Sequence, residues 1–177
     1  MNVMSNAIAA LVSIALMLMA GLTLSTTAFN SIDHVTQSWK QMEQTSEEAA
    51  RTGINITDAQ NSGTIVDVFV QNSGAVRLTQ FSAWDVVVHF YDQQDDYYII
   101  HLEYSEAASP GTGEWAVYDI YTSANLTQEE IFEPGILDPG EVAQLKLGLS
   151  ASPGSGTTNW VILSTANGVT ASVQFEG

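Results

Sequence analysis

The stretch AIAALVSIALMLMAGLTLSTTAF, residues 7–29, holds 23 positions without a charge, and only Ser13, Gly21, Thr23, Ser25, Thr26 and Thr27 interrupt its apolar run. At about 1.5 Å of rise per residue, a helix of this length crosses a hydrocarbon core of about 30 Å. An uncharged segment this long has two stable fates: lipid, or burial among other copies of itself. The small and hydroxyl residues Ala9, Ala10, Ser13, Ala15, Ala20, Gly21 and Ser25 permit close helix approach in either case.

Outward from this stretch, nothing basic precedes Ala7, and the first charged residue is Asp33. A secretory signal peptide would carry a basic leader region, a shorter apolar core and a small-residue cleavage site. The expectation is that Met1 is not the initiator and that a basic leader has been removed; the alternative is insertion without one. On the other side, Ile32, Val35, Trp39 and Met42, with Ala49 in phase through Ser46, keep a spacing of 3 and 4. The helix therefore continues as an amphipathic stem, giving one helix from about residue 4 to about residue 51. No proline occurs before Pro110, and Arg51-Thr52-Gly53 supplies a stop.

After Gly53 the period becomes two. Val66, Val68 and Val70 alternate with Asp67 and Gln71, Ala143, Leu145, Leu147 and Leu149 with Gln144, Lys146 and Gly148, and Val169, Ala171, Val173 and Phe175 with Thr170, Ser172, Gln174 and Glu176. Further β-rich runs cover 84–91, 97–104, 115–121 and 160–165, so at least seven strands are expected. Asn72-Ser73-Gly74, Asp92 to Asp96, Ser109-Pro110-Gly111, Asp138-Pro139-Gly140 and Asn167-Gly168 supply turn chemistry between them. The fold class is α+β: a long N-terminal hydrophobic helix over residues 1–53, then an antiparallel Ig-like β-sandwich over residues 54–177. The disulfide of true Ig domains is ruled out by the absence of cysteine.

Composition narrows the function. The chain has 177 residues, 20 acidic against 4 basic side chains, and a formal charge of −16. Lys40, Arg51, Arg77 and Lys146 cannot assemble a basic face, so nucleic acid is excluded as a partner. The charge is also unevenly placed. Lys40 and Arg51 against Asp33, Glu43, Glu47 and Glu48 leave −2 on residues 1–53, and −14 falls on the remainder. An acidic coat of this kind keeps a high-copy assembly soluble.

Motifs that carry chemistry are sparse. His89 and His101 could face each other across a hairpin and, with Asp92, hold a metal, but the solvated-strand reading is preferred. The turn Asp92, Asp95, Asp96 lacks the spacing and glycine of an EF-hand loop. Gly111-Thr112-Gly113 and Gly154-Ser155-Gly156 are too short for a phosphate cradle, and neither a nucleophile elbow nor a zincin motif occurs. No catalytic residue, metal site or cofactor is assigned. Asn55 and Asn125 head Asn-x-Thr sequons, acceptors for N-glycosylation only if the chain meets such a system outside the cytoplasm.

The order of parts resembles the archaellins and their relatives among archaeal type IV pilin-like proteins. The resemblance rests on the apolar N-terminal helix, the stem Ile32 to Arg51, and Ile54-Asn55-Ile56-Thr57-Asp58-Ala59 entering a β domain. It is strengthened by the run Thr64 to Gly74, similar to the strand ending in Asn-Thr-Gly in that family, and by the turn Leu137-Asp138-Pro139-Gly140-Glu141. The resemblance implies export as a precursor, membrane insertion before assembly, cleavage by a prepilin-type peptidase, and polymerisation through the helix into a homopolymeric surface filament for motility, without catalysis. Bacterial type IV pilins place a Glu near the fifth mature position; Ser5 and Asn6 stand here, which argues against a pilus of that kind. On this reading Ile8, Leu11, Val12, Leu16, Met19, Leu22, Leu24 and Phe29 pack the assembled helix core, and Ile32, Val35, Trp39 and Met42 seat the stem. The same family includes membrane-anchored stator-like accessory proteins whose extracellular sandwich binds an envelope partner, and the stem Ser31 to Val35 resembles theirs as well.

Overall fold

A computed structural model describes residues 2–177, apart from the side chains of 2, 3, 5 and 27–30. One helix, α1, runs Asn2–Arg51. Eight strands follow: β1 (Ile54–Ser62), β2 (Ile65–Asn72), β3 (Asp85–Tyr91), β4 (Tyr97–Tyr104), β5 (Glu114–Tyr121), β6 (Val142–Gly148), β7 (Thr158–Ser164) and β8 (Thr170–Glu176). The chain divides into two compact units, Met1–Ser46 and Glu47–Gly177, so the last helical residues group with the strands.

In the strand unit the order is β1-β2-β6-β5-β4-β3-β7-β8. One sheet comprises β1, β2, β6 and β5; the other comprises β4, β3, β7 and β8. The two join at a corner where β4 and β5 pair in parallel over only Glu103↔Glu114 and Tyr104↔Trp115. Every other pairing is antiparallel, as the period-two pattern predicts, and this one parallel pair is the departure from it. Its cause is local: the fully buried Trp115 packs edge-on against Tyr104, ring centroids 5.0 Å apart, and ties the end of one sheet to the start of the other.

The expected alternation has a direct structural result. Val66, Val68 and Val70 of β2, Leu145 and Leu147 of β6, and Val86, Val88 and Phe90 of β3 all point inward and are buried. Leu78, Phe81, Trp84 and Leu137, from the connections, plug the same core. Strand β1 lies outside the expected set. Its sequence, Ile54 to Ser62, is mostly polar and largely exposed, it occupies a sheet edge, and a bulge between Ile56 and Asp58 breaks its alternation. It pairs with β2 through a tight hairpin at Gly63, where φ is +69°.

Candidate functional site

Two regions carry the arrangement, the apolar helix and the joint at its exit. On α1 the side chains of Ile8, Leu11, Val12, Leu16, Met19, Leu22 and Leu24 are all exposed, from 53% for Val12 to 72% for Leu24. Phe29, grouped with them in the sequence, has its side chain outside the described residues. Exposed Ile14, Met17 and Leu18 fill the remaining directions, so this is a helix apolar all round, which water does not tolerate. Among its described residues, hydroxyls are already satisfied along the helix: Ser13 donates to the Ala9 carbonyl (2.9 Å), Ser25 to Gly21 (2.9 Å), and Thr26 to Leu22 (3.1 Å). They therefore enter an apolar environment without an unpaired donor. Among the described residues one helix is long and apolar enough to cross a membrane. Further along, Ile32, Val35, Trp39 and Met42 are likewise exposed, Trp39 at 72%.

The joint belongs to the strand unit and is built from Thr52, Gly53 and the turn after β2. Thr52 ends the helix: its N–H and hydroxyl both donate to the Glu48 carbonyl at 2.9 Å, and Asn167, of the predicted Asn-Gly turn, donates to the Thr52 hydroxyl at 2.6 Å. Next, the amides of Ser73 and Gly74 donate to the Gly53 carbonyl (2.9 and 3.1 Å), and the Ala75 amide donates to the Arg51 carbonyl (2.9 Å). The terminal carbonyls that a helix leaves unpaired thus find partners in a sheet turn. This packing leaves no room for a side chain at position 74. A Cβ there would meet the Gly53 nitrogen and the Arg51 carbonyl well inside contact distance, and both are backbone atoms that cannot swing away. Gly74→Ala is expected to lower the melting stability of the strand unit by roughly 1–3 kcal/mol, the usual range for overpacking, and thermal melts followed by tryptophan fluorescence check it.

Asn72, fully buried, holds the other side of that turn. Its amide donates to the carbonyls of Val76 (2.8 Å) and Leu137 (2.9 Å), and its side-chain oxygen accepts from the Gly74 amide (3.0 Å). The Asn-Ser-Gly motif singled out in the sequence is therefore a structural clamp, linking the helix exit to the turn Leu137 to Glu141.

That second turn contains Glu141, only 8% exposed, whose carboxylate accepts the Asp138 amide at 2.8 Å. Burial, together with the neighbouring Asp138 and Glu130 carboxylates, pushes the Glu141 carboxyl above the usual range. A carboxyl raised in the folded state favours folding at pH below its unfolded value, and that contribution is lost as pH rises through the folded one. Glu141→Gln keeps the acceptor and removes the charge. Its melting temperature is expected to exceed that of the parent at pH 7 and to match it near pH 4.

The histidine and acidic-turn residues weighed for a metal are not brought together. His89 sits 3.1 Å from the Tyr97 hydroxyl, and His101 sits 3.1 Å from Asp85. The buried Asp92 is occupied by its own turn, accepting the Gln94 and Asp96 amides at 2.8 and 2.9 Å. Among the described residues no group of three or more His, Asp or Glu is placed to hold a metal. A cleft of about 530 Å³ between the edges of β1 and β8 is polar and shallow, lined by Gln60, Asn61, Gln174 and Glu176 among others. The sequon residues Asn55 and Asn125 are both exposed. Sequence reasoning did not single out the buried Glu141 or two exposed apolar features of the sandwich: Ile131-Phe132, and a face of tyrosines, tryptophan and isoleucines on the second sheet.

No protein-family model matches the sequence, and no curated protein matches it. Solved structures do. The archaellum periplasmic stator protein FlaG from Sulfolobus acidocaldarius aligns at TM-score 0.50 and 22% identity, over 70% of this chain and 99% of its own. The archaeal flagellin FlaB1 from Methanocaldococcus jannaschii aligns at 0.53 and 11%, over 71% of this chain and 89% of its own. The archaeal flagellum of Methanospirillum hungatei strain JF1 aligns at 0.52 and 13%, over 95% of this chain and 90% of its own. At these identities the likeness is one of fold, and the fold is archaellin-like: one long N-terminal helix followed by a mostly antiparallel eight-stranded sandwich.

Proposed function

We propose that this chain is a non-enzymatic structural subunit of an archaellum-type surface filament. The observation that carries the reading is the all-round apolar helix, whose described apolar side chains are exposed in the isolated chain and which is followed by an acidic sandwich. Helices of this kind packed against copies of themselves exclude water, and the −14 placed on residues 54–177 forms the wetted outer layer. The fold likeness to the Methanospirillum hungatei flagellum spans 95% of the chain, helix and sandwich together, and supports the same reading. Membrane insertion before assembly and cleavage by a prepilin-type peptidase belong to it, as does extracellular localisation. Ile8, Leu11, Val12, Leu16, Met19, Leu22, Leu24 and Phe29 form the assembled core, with Ile32, Val35, Trp39 and Met42 packing the stem.

The likeness to FlaG favours a second reading, a membrane-anchored stator-like protein whose sandwich meets an envelope partner. There α1 crosses lipid instead of packing with its copies. Shearing separates the two. The filament reading expects the chain in the sheared supernatant at high copy number, whereas recovery only in the membrane pellet at low copy number supports the anchored one.

A further inference from the structure

The buried Glu141 carboxyl meets a second carboxyl, that of Glu130. Between β5 and β6 the chain is pinned by the Glu130 amide donating to the Ile120 carbonyl (2.7 Å) and by the bridge of Tyr121 to Glu129. The part-buried Glu130 carboxylate then turns back to accept the amides of Phe132 (2.7 Å) and Glu133 (3.2 Å), and it is hydrogen-bonded to the Glu141 side chain. Glu141 is fixed as firmly from its own side. Its carboxylate accepts the Asp138 amide, and its carbonyl accepts the Asn72 amide at 3.0 Å. Backbone donors therefore orient both carboxyls, and the two side chains meet because the backbone puts them together.

An ionised carboxylate only accepts hydrogen bonds, so a bond between two carboxyls exists only while one of them carries a proton. The buried Glu141 is the one to hold it, because ionisation costs more where water is excluded. The charges that bear on it are negative: Asp138 from its own turn and Glu130 from the β5–β6 connection. Arg77, from the connection after β2, is engaged by Glu133 and Asp138 instead. Asn72, at the end of β2, adds an uncharged amide whose donors go to the Val76 and Leu137 carbonyls.

We propose that the Glu130–Glu141 pair is a proton-operated latch, which fastens the β5–β6 connection to the Asp138–Glu141 turn in acid and releases it at neutral pH. The connection carries Ile131 and Phe132, which are 74% and 87% exposed, so it is not held by burying them. It is held by the Glu130 frame and by the ion pair of Glu133 with Arg77. The sign follows from the Glu141 carboxyl lying above the usual range: the latch is closed below that raised value and is lost as pH rises through it. Once both carboxyls are ionised, Glu130, Glu141 and Asp138 repel one another across one corner. The Asp138–Glu141 turn is tied to Asn72, so the β5–β6 connection is the part that moves away. The latch lies wholly within the strand unit and works alike whether the helix packs with its copies or crosses lipid.

Because the sequence has no cysteine, F132C places a single spin label on the connection, in the full-length chain held in uncharged detergent. The expected spectrum is dominated by an immobile component at about pH 4.5, and that component is lost by about pH 8. E141Q offers an amide N–H to the Glu130 carboxylate at every pH, so its label stays immobile across the titration. E130Q does the same from the other side and serves if E141Q fails to fold. E133Q takes a partner from Arg77, leaves the carboxyl pair intact, and keeps the pH dependence. A merely structural role for Glu141 would shift the melting temperature of E141Q and leave the label's pH profile as in the parent. That profile, or a parent label whose mobility does not change with pH, overturns the latch. Neither result bears on whether the chain builds filaments.

Discussion

Leu16→Asp is expected to abolish surface filaments while leaving the sandwich folded. Leu16 is 61% exposed in the isolated chain and lies midway along the uncharged stretch, with no cation among residues 1–32 to receive a new carboxylate; the first is Lys40. A carboxylate taken unpaired into a dry interior costs several kcal/mol even after relaxation. In an assembly every subunit incurs that cost at the same layer, so the loss is complete rather than graded. The measurement has two arms. Filament recovery by shearing should fall to nothing, and tryptophan-monitored melting of the chain in detergent should be unchanged, because Trp84 and Trp115 report from the separate strand core. Leu16→Ala removes volume without adding charge and should weaken filaments without eliminating them. Filaments persisting in the Asp variant would sink the packing role given to the helix.

Trp115→Ala is expected to be the most damaging single truncation in the sandwich, lowering its stability by roughly 3–5 kcal/mol, against a total of about 5–15 kcal/mol for an ordinary domain. Trp115 has no exposed surface, stacks edge-on with Tyr104, and sits where the two sheets join. Its loss therefore removes packing from both sheets at once. A contrast sharpens the expectation. The indole N–H of Trp115 is buried without a protein partner, so Trp115→Phe, which deletes that donor along with part of the ring, should cost much less than truncation to alanine. Chemical denaturation of both variants, compared with the parent, checks the order. Equal losses from Ala and Phe would mean that the corner tolerates a cavity.

Much of this architecture was legible in the residues, because it is encoded locally. The helix was readable from the uncharged run and the spacing of Ile32, Val35, Trp39 and Met42, and it ends at Arg51 as the Thr52-Gly53 pair indicates. The strands around Val66 to Val70 and Leu145 to Leu147 were readable because each buries one face. Asn167-Gly168 turns where such a pair should, with Gly168 at φ +84°. What escaped was set by tertiary contact. β1 is a polar edge strand, held by backbone pairing to β2 more than by any pattern of its own. The parallel corner of β4 and β5 depends on Trp115 finding Tyr104. The burial of Glu141 follows from a turn closing over it, and nothing in its neighbours in sequence announces that. The exposure of Ile131 and Phe132 inverts the ordinary expectation for such residues, and only the frame of Glu130 and Arg77 accounts for it.

The helix and its joint divide the work. Residues 7–29 supply a surface that must be covered, and the Asn72-Gly74 clamp fixes the chain where the helix enters the acidic strand unit. The most direct test of the central claim is electron microscopy of material sheared from the cell surface, combined with mass spectrometry of its dominant band. The expected result is helical filaments built mainly from this chain. Filaments made of another protein, with this chain confined to the membrane, would contradict it.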